Sequence, residues 1–340
     1  MQGKRPTTRA HRAWHGVRLT GLALFAYVFI QQCRSTGIPF DRERLLLWIG
    51  AAMAVTCVGR PWRQSVYLAR DWIWFVFILL AYDYSRGLAE RLGAPVQVQA
   101  QLNVEKFVFF GKVPSLWLQQ HLYTAGRIRW WDVLVSLTYA SHFVFPFVLA
   151  GVLWVWNRER YRRFIFRLSV VSFAAVATFA VMPTAPPWMA ADRHLIPHVE
   201  RNVGYGWGRI NFKVAATLID KGRLAANAVA AIPSLHAAWS LIVALMVWPL
   251  IKHKWLRPLL LVYPVLMGFT IVYGGEHYAI DVFAGWLYVA GAFWLCRRVE
   301  QWFAGRRADR FLDTLEEPDV VEEPAALLDV DDEDTVPLTF

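Results

Sequence analysis

The sequence predicts an all-α protein, a polytopic membrane helix bundle of about eight spans. Hydrophobic residues make up 56% of the 340 and aromatic residues 15%, in apolar runs too long and too frequent for a soluble core. Lysine and arginine gather in alternate connections between those runs, as they do in chains that thread a bilayer. Charge is also split along the chain: residues 308–340 carry one Arg against twelve Asp and Glu, and taking that −11 from the net +10 leaves +21 on the remainder. Much of the +21 is the loop bias of a membrane protein. It favours anionic lipid headgroups, and no nucleic-acid partner is expected.

The apolar runs fall at 17–33, 45–58, 66–84, 133–156, 165–182, 234–251, 256–273 and 278–296. The first follows Lys4, Arg5, Arg9 and Arg12 without a small-residue cleavage site, so it reads as an uncleaved span. The second is short of the roughly 20 residues a helix needs to cross. Arg60 and Arg63, then Arg158, Arg160, Arg162 and Arg163, then Lys252, Lys254 and Arg257, then Arg297, Arg298, Arg306 and Arg307 mark the cytoplasmic connections. Both termini are then cytoplasmic, and the protein is expected in the plasma membrane. Residues 34–44, 85–132, 183–233 and the Gly274-Gly275-Glu276 turn lie outside. Within 85–132, aromatic clusters mixed with polar residues predict an amphipathic segment in the interface. Beyond Arg310 the acidic, proline-containing tail has no apolar period and is expected to be disordered. Cys33, Cys57 and Cys296 show no metal-ligand spacing, and the outer face has no acidic cluster, so neither a metal nor a cofactor is expected.

Two motifs stand at helix starts on the outer face: Pro233-Ser234-Leu235-His236 and His277-Tyr278-Ala279-Ile280-Asp281. Residues four apart share a helix face, so Asp281 can hold the ring of His277 in one tautomer. Ser234 can cap the helix carrying His236 and leave N–H groups at its end for a phosphate. A neutral imidazole can attack phosphorus while a protonated one delivers a proton to the departing oxygen, which is the chemistry of phosphoryl transfer. Taken alone, His-x-x-x-Asp is more often a structural ion pair. A second histidine at the same depth and face tips the balance to catalysis.

The segments A-I-P-S-L-H-A-A, G-G-E-H-Y-A-I-D-V-F-A-G-W and M-P-T-A-P-P-W resemble the type 2 phosphatidic acid phosphatase superfamily, and within it the inositol phosphorylceramide synthase-like branch. The resemblance implies a six-helix core, a phosphohistidine on His277, orientation of that ring by Asp281, and His236 as general acid. On that basis the chain divides into a basic tail (1–16), two accessory spans (17–65), a catalytic core (66–304) and an acidic tail (305–340). Two family signatures are missing: neither Arg60-Pro61 nor Arg257-Pro258 has a Lys six residues before it, and Thr270 and Ile271 stand where an Arg upstream of His277 is expected. Their absence moves the match from simple phosphatases towards lipid phosphotransferases, with an inositol-phosphate headgroup as cargo and a lipid or sugar hydroxyl as acceptor. Candidates for binding the donor lipid are Ser234, Asp83, Arg86, His142, Arg209 and Lys213. A phosphatase using water is the first alternative. A transporter or flippase is the second, disfavoured by the lack of related halves.

Overall fold

In a bilayer every backbone polar group must be satisfied within the protein, so apolar runs of this length fold as helices. The computed structural model describes residues 8–36, 42–85, 91–211 and 227–316. Its described α-helices are α1 (Thr8–Thr36), α2 (Arg42–Cys57), α3 (Trp62–Ser85), α4 (Gln99–Val108), α5 (Pro114–Leu122), α6 (Trp130–Ser141), α7 (Phe145–Trp156), α8 (Arg158–Val181), α9 (Pro187–Asp192), α10 (Gly206–Arg209), α11 (Leu235–Val247), α12 (Val262–Tyr273) and α13 (Ala279–Glu316). No named strand occurs among the described residues. The chain divides into one unit of residues 1–296 and a second of residues 297–340.

All eight apolar runs lie in helical segments. Among the described residues, five helices are long and apolar enough to cross a membrane, and a sixth span is formed if the bent pair α6–α7 is taken together. The run at 133–156 is therefore two helices at 45°, not one. Pro146 supplies the reason: it lacks an N–H and its ring clashes with the carbonyl four residues back, that of His142. Helix α2 has 16 residues and α11 has 13, the latter extended by a 3-10 turn at Trp248–Leu250. In the second unit, α13 runs on to Glu316, into the segment expected to be a disordered tail, and residues 317–340 lie outside the described residues.

Two clusters fill the bundle. One joins Leu153 of α7, Phe164 and Leu168 of α8, Ile242 of α11 and Val289 of α13, all within a few per cent of complete burial. The other joins Val135 and Tyr139 of α6, Met267 and Ile271 of α12, Ala237 of α11 and Val282 of α13. A third cluster, from Leu102 of α4, Val113, Ala190 of α9, Val199 and Tyr278, caps the end of the bundle where α11 and α13 begin. The predicted interfacial stretch is thus two short helices, α4 and α5. On α4 two polar residues, Gln101 and Glu105, are buried beside Leu102, while Val104 and Phe107 are exposed. A helix between lipid and a polar site has reason to be built this way.

The opposite end of the bundle is basic. Helix α8 begins at Arg158 and ends at Val181, next to the Pro183–Trp188 segment; its 24 residues separate the two ends by about 36 Å at 1.5 Å per residue. At the basic end Arg158 pairs with the buried Asp71 of α3, and the Tyr161 hydroxyl donates to the Asp71 carbonyl at 2.6 Å.

Candidate active site

The polypeptide before α11 is held by the segment that ends α8. The Thr184 hydroxyl accepts the Ile232 N–H at 2.9 Å, and the Thr184 carbonyl accepts the Ala231 N–H at 3.3 Å. Ser234, fully buried, caps α11: its hydroxyl accepts the Ala237 N–H at 3.4 Å. The N–H groups of Leu235 and His236, first in the helix, have no intrahelical carbonyl to bond. The Ser234 N–H donates to the Asp281 carbonyl at 3.0 Å, which ties the start of α11 to the first turn of α13. Gly285 permits this approach, since a Cβ there would lie 2.5 Å from the Ser234 carbonyl oxygen.

These contacts bring His236 and His277 together with ring centroids 5.5 Å apart. His277 is 6% exposed, and its Nδ1 lies 2.9 Å from the Ala231 carbonyl and 3.4 Å from Asp281 Oδ2. A carbonyl only accepts, so Nδ1 carries the hydrogen and the Nε2 lone pair is left free. The backbone carbonyl, closer than the carboxylate, is the partner that fixes the tautomer. Asp281 is fully buried; its Oδ2 also accepts the Tyr278 N–H at 2.9 Å, and its Oδ1 accepts from Gln101.

His142 completes the cluster. It sits at the break between α6 and α7, its ring centroid 4.2 Å from that of His236 and 5.2 Å from that of Trp239. Tyr139 also stacks on His236, with ring centroids 5.1 Å apart. His236 Nε2 and His142 Nδ1 are buried without a hydrogen-bond partner. Buried polar atoms in folded proteins are nearly always satisfied, so two orphaned ring nitrogens beside a free His277 Nε2 mark a place for a polar group.

Of the residues expected to bind the donor, Ser234 and His142 are in this cluster and Arg209 is not: it is exposed, with its guanidinium donating to the Ile128 carbonyl at 2.8 Å. Arg86 and Lys213 lie outside the described residues, as does the side chain of Asp83 at the end of α3. The sequence drew no attention to Arg201, which forms a two-pronged ion pair with Glu276, the neighbour of His277, at 2.8 and 3.2 Å and stacks on Trp188 at 4.4 Å. Nor did it single out the Ala231 carbonyl, Gln101 or Glu105. A carbonyl carries no signal in sequence, whereas Gln101 and Glu105, four apart on one face of an otherwise partly apolar helix, do.

A model of the PAP2 superfamily, that of the type 2 phosphatidic acid phosphatases, matches residues 103–295. The chain belongs to this superfamily. It is 28% identical over 279 residues to a phosphoinositol dihydroceramide synthase of Bacteroides thetaiotaomicron, covering 78% of this chain and 87% of that one. It is also 28% identical over 162 residues to an inositol phosphorylceramide synthase of Candida albicans, covering 45% of this chain and 33% of that one. No solved structure matches it significantly. The PAP2 match runs from within α4 to most of the apolar part of α13 and contains every residue of the histidine cluster. The protein is an integral membrane enzyme of this superfamily, of its inositol phosphorylceramide synthase-like branch.

Proposed function

We propose that the protein is a lipid phosphotransferase that moves a phospho-headgroup, of inositol-phosphate type, from a lipid donor to a hydroxyl acceptor through a phosphohistidine on His277. His277 Nε2 attacks phosphorus, the bond from phosphorus to the lipid oxygen breaks, and His236 gives that oxygen its proton. The acceptor hydroxyl then attacks the same phosphorus, loses its proton to His236, and frees His277. Asp281 and the Ala231 carbonyl keep the attacking ring oriented and stabilise the positive charge it gathers. His142 and the capped start of α11 receive the phosphate oxygens, with Arg86 and Lys213 as the remaining candidate cations. The similarity to two relatives named as synthases supports the choice of headgroup and of transfer over hydrolysis.

The observation that carries this reading is the free Nε2 of His277, its Nδ1 hydrogen held by Ala231, facing a second imidazole with an unpartnered nitrogen. The basic start of α8 lies at the far end of that helix from the site, which supports, by the positive-inside rule, a site on the extracytoplasmic face with both termini cytoplasmic; the plasma membrane is the membrane of this proposal. The test is to incubate purified protein with phosphatidylinositol labelled at phosphorus and to look for acid-labile label on the chain. Label on the wild type and none on His277→Ala is expected. Turnover by His277→Ala would overturn the covalent route. With a ceramide-type acceptor present, label appearing in a new phospholipid supports transfer, and label released only as water-soluble inositol phosphate would make water the acceptor and the protein a hydrolase.

A further inference from the structure

Asp281 is an acceptor-only group with no exposure to water, and its partners come from two places. Its own helix start supplies the Tyr278 N–H and the His277 ring to Oδ2. Oδ1 is met by a residue 180 positions away: the Gln101 amide nitrogen on α4. Because a carboxylate cannot donate, the NH2 of Gln101 must face it, and Gln101 Oε1 is left buried with no hydrogen-bond partner. A buried polar atom left without a partner is costly, and a side chain serving only to pack would avoid it. One turn further along α4, Glu105 is also fully buried and accepts the N–H groups of Ala279 at 3.0 Å and Ile280 at 3.1 Å, the first of α13. Helix α4 therefore grips both the carboxylate of Asp281 and the backbone that carries it.

We infer that Gln101 is a positioning residue of the His277–Asp281 pair, fixing the rotation of the Asp281 carboxylate so that Oδ2 stays directed at His277, with Glu105 anchoring α4 against the start of α13. An unrestrained carboxylate turns about its Cβ–Cγ bond and loses its single direction towards the imidazole. The inference rests on the proposed role of His277 and deepens it. Gln101 precedes the matched region 103–295, so the family similarity assigns it nothing.

The experiment compares Gln101→Leu and Gln101→Glu with wild type and with His277→Ala, in purified protein with phosphatidylinositol as donor, across pH 5.5–8.5. Leucine keeps the volume and removes the donor. Gln101→Leu is expected to lose about tenfold or more in kcat, with KM changed less than about twofold. Gln101→Glu restores an O–H donor when neutral and opposes Asp281 when ionised, so its kcat relative to wild type is expected to exceed that of Gln101→Leu most strongly at the acid end. A role in packing alone produces no such rescue. Wild-type kcat in Gln101→Leu, or Gln101→Glu no better than Gln101→Leu at any pH, overturns the inference. Since Gln101→Glu is judged on its own profile, the outcome does not depend on Gln101→Leu folding. His277→Ala separates the two levels: inactive His277→Ala with fully active Gln101 variants removes only the role of Gln101, and active His277→Ala removes the parent reading.

Discussion

Gly285→Ala should separate catalysis from stability on a single helix. The added Cβ would stand 2.5 Å from the Ser234 carbonyl oxygen, where ordinary contact begins at 3.4 Å, so the start of α11 and the first turns of α13 must part by about 0.9 Å. Neither side can yield cheaply. The obstacle is backbone, and the Ser234 N–H bond to the Asp281 carbonyl spans the same gap. The separation moves His236 away from His277, and misplacement of a reacting group by about 1 Å costs about 10²-fold in rate, or about 2.7 kcal/mol in the barrier. Gly291, six residues on, has nothing within 4 Å of a Cβ. Alanine there should leave kcat unchanged and raise stability by up to about 1 kcal/mol through helix propensity and a less mobile unfolded chain. The assay is transfer of labelled headgroup in detergent micelles, with thermal unfolding followed in parallel. Gly285→Ala that folds and keeps kcat within about threefold of wild type would refute the claim that this close approach sets the geometry of the two histidines, as would an equal loss in Gly291→Ala.

Two other outcomes are expected. His236→Ala should lose at least about 10² more rate with a lipid donor than with a p-nitrophenyl ester of the same phosphate, whose leaving group needs no proton; equal losses with both donors would remove His236 from the acid role. Glu105, on the interfacial helix, has its carboxyl pushed up to about 7 by burial, with the Asp281 charge adding to the push and the Ala279 and Ile280 N–H groups opposing it. The groups facing it are Asp281 and Tyr278. Its folded pKa lies above the ordinary 4.5, so between about 4.5 and 7 the folded protein holds a proton that the unfolded chain releases, and stability should fall as pH rises through that window. Thermal unfolding against pH should show this slope in the wild type and lose it in Glu105→Gln.

Part of the site was legible because its signals are local. The four-residue step from His277 to Asp281, the serine cap before His236 and the placement of both helix starts on one face follow from helix geometry and charge bias alone. The apolar runs located every span-forming helix, though Pro146 had to be weighed to see that the fourth run breaks at His142. What stayed hidden was non-local. The phosphate-binding candidates Arg86, Arg209 and Lys213 were chosen as outer-face charges, and Arg209 turned out to hold a backbone carbonyl elsewhere.

By itself, then, the sequence determined that this chain is a helical membrane protein and singled out His236, His277 and Asp281, the three side chains proposed to hold the chemistry, because hydrophobic period, loop charge and spacing within one helical turn are properties of neighbours in the chain. Tertiary structure alone decided that the Ala231 carbonyl sets the His277 tautomer, that Gly285 lets α11 and α13 close on each other, and that Gln101 reaches Asp281 across 180 residues. Hydrogen-bond partners depend on distances of about 3 Å, and those exist only once the helices have packed.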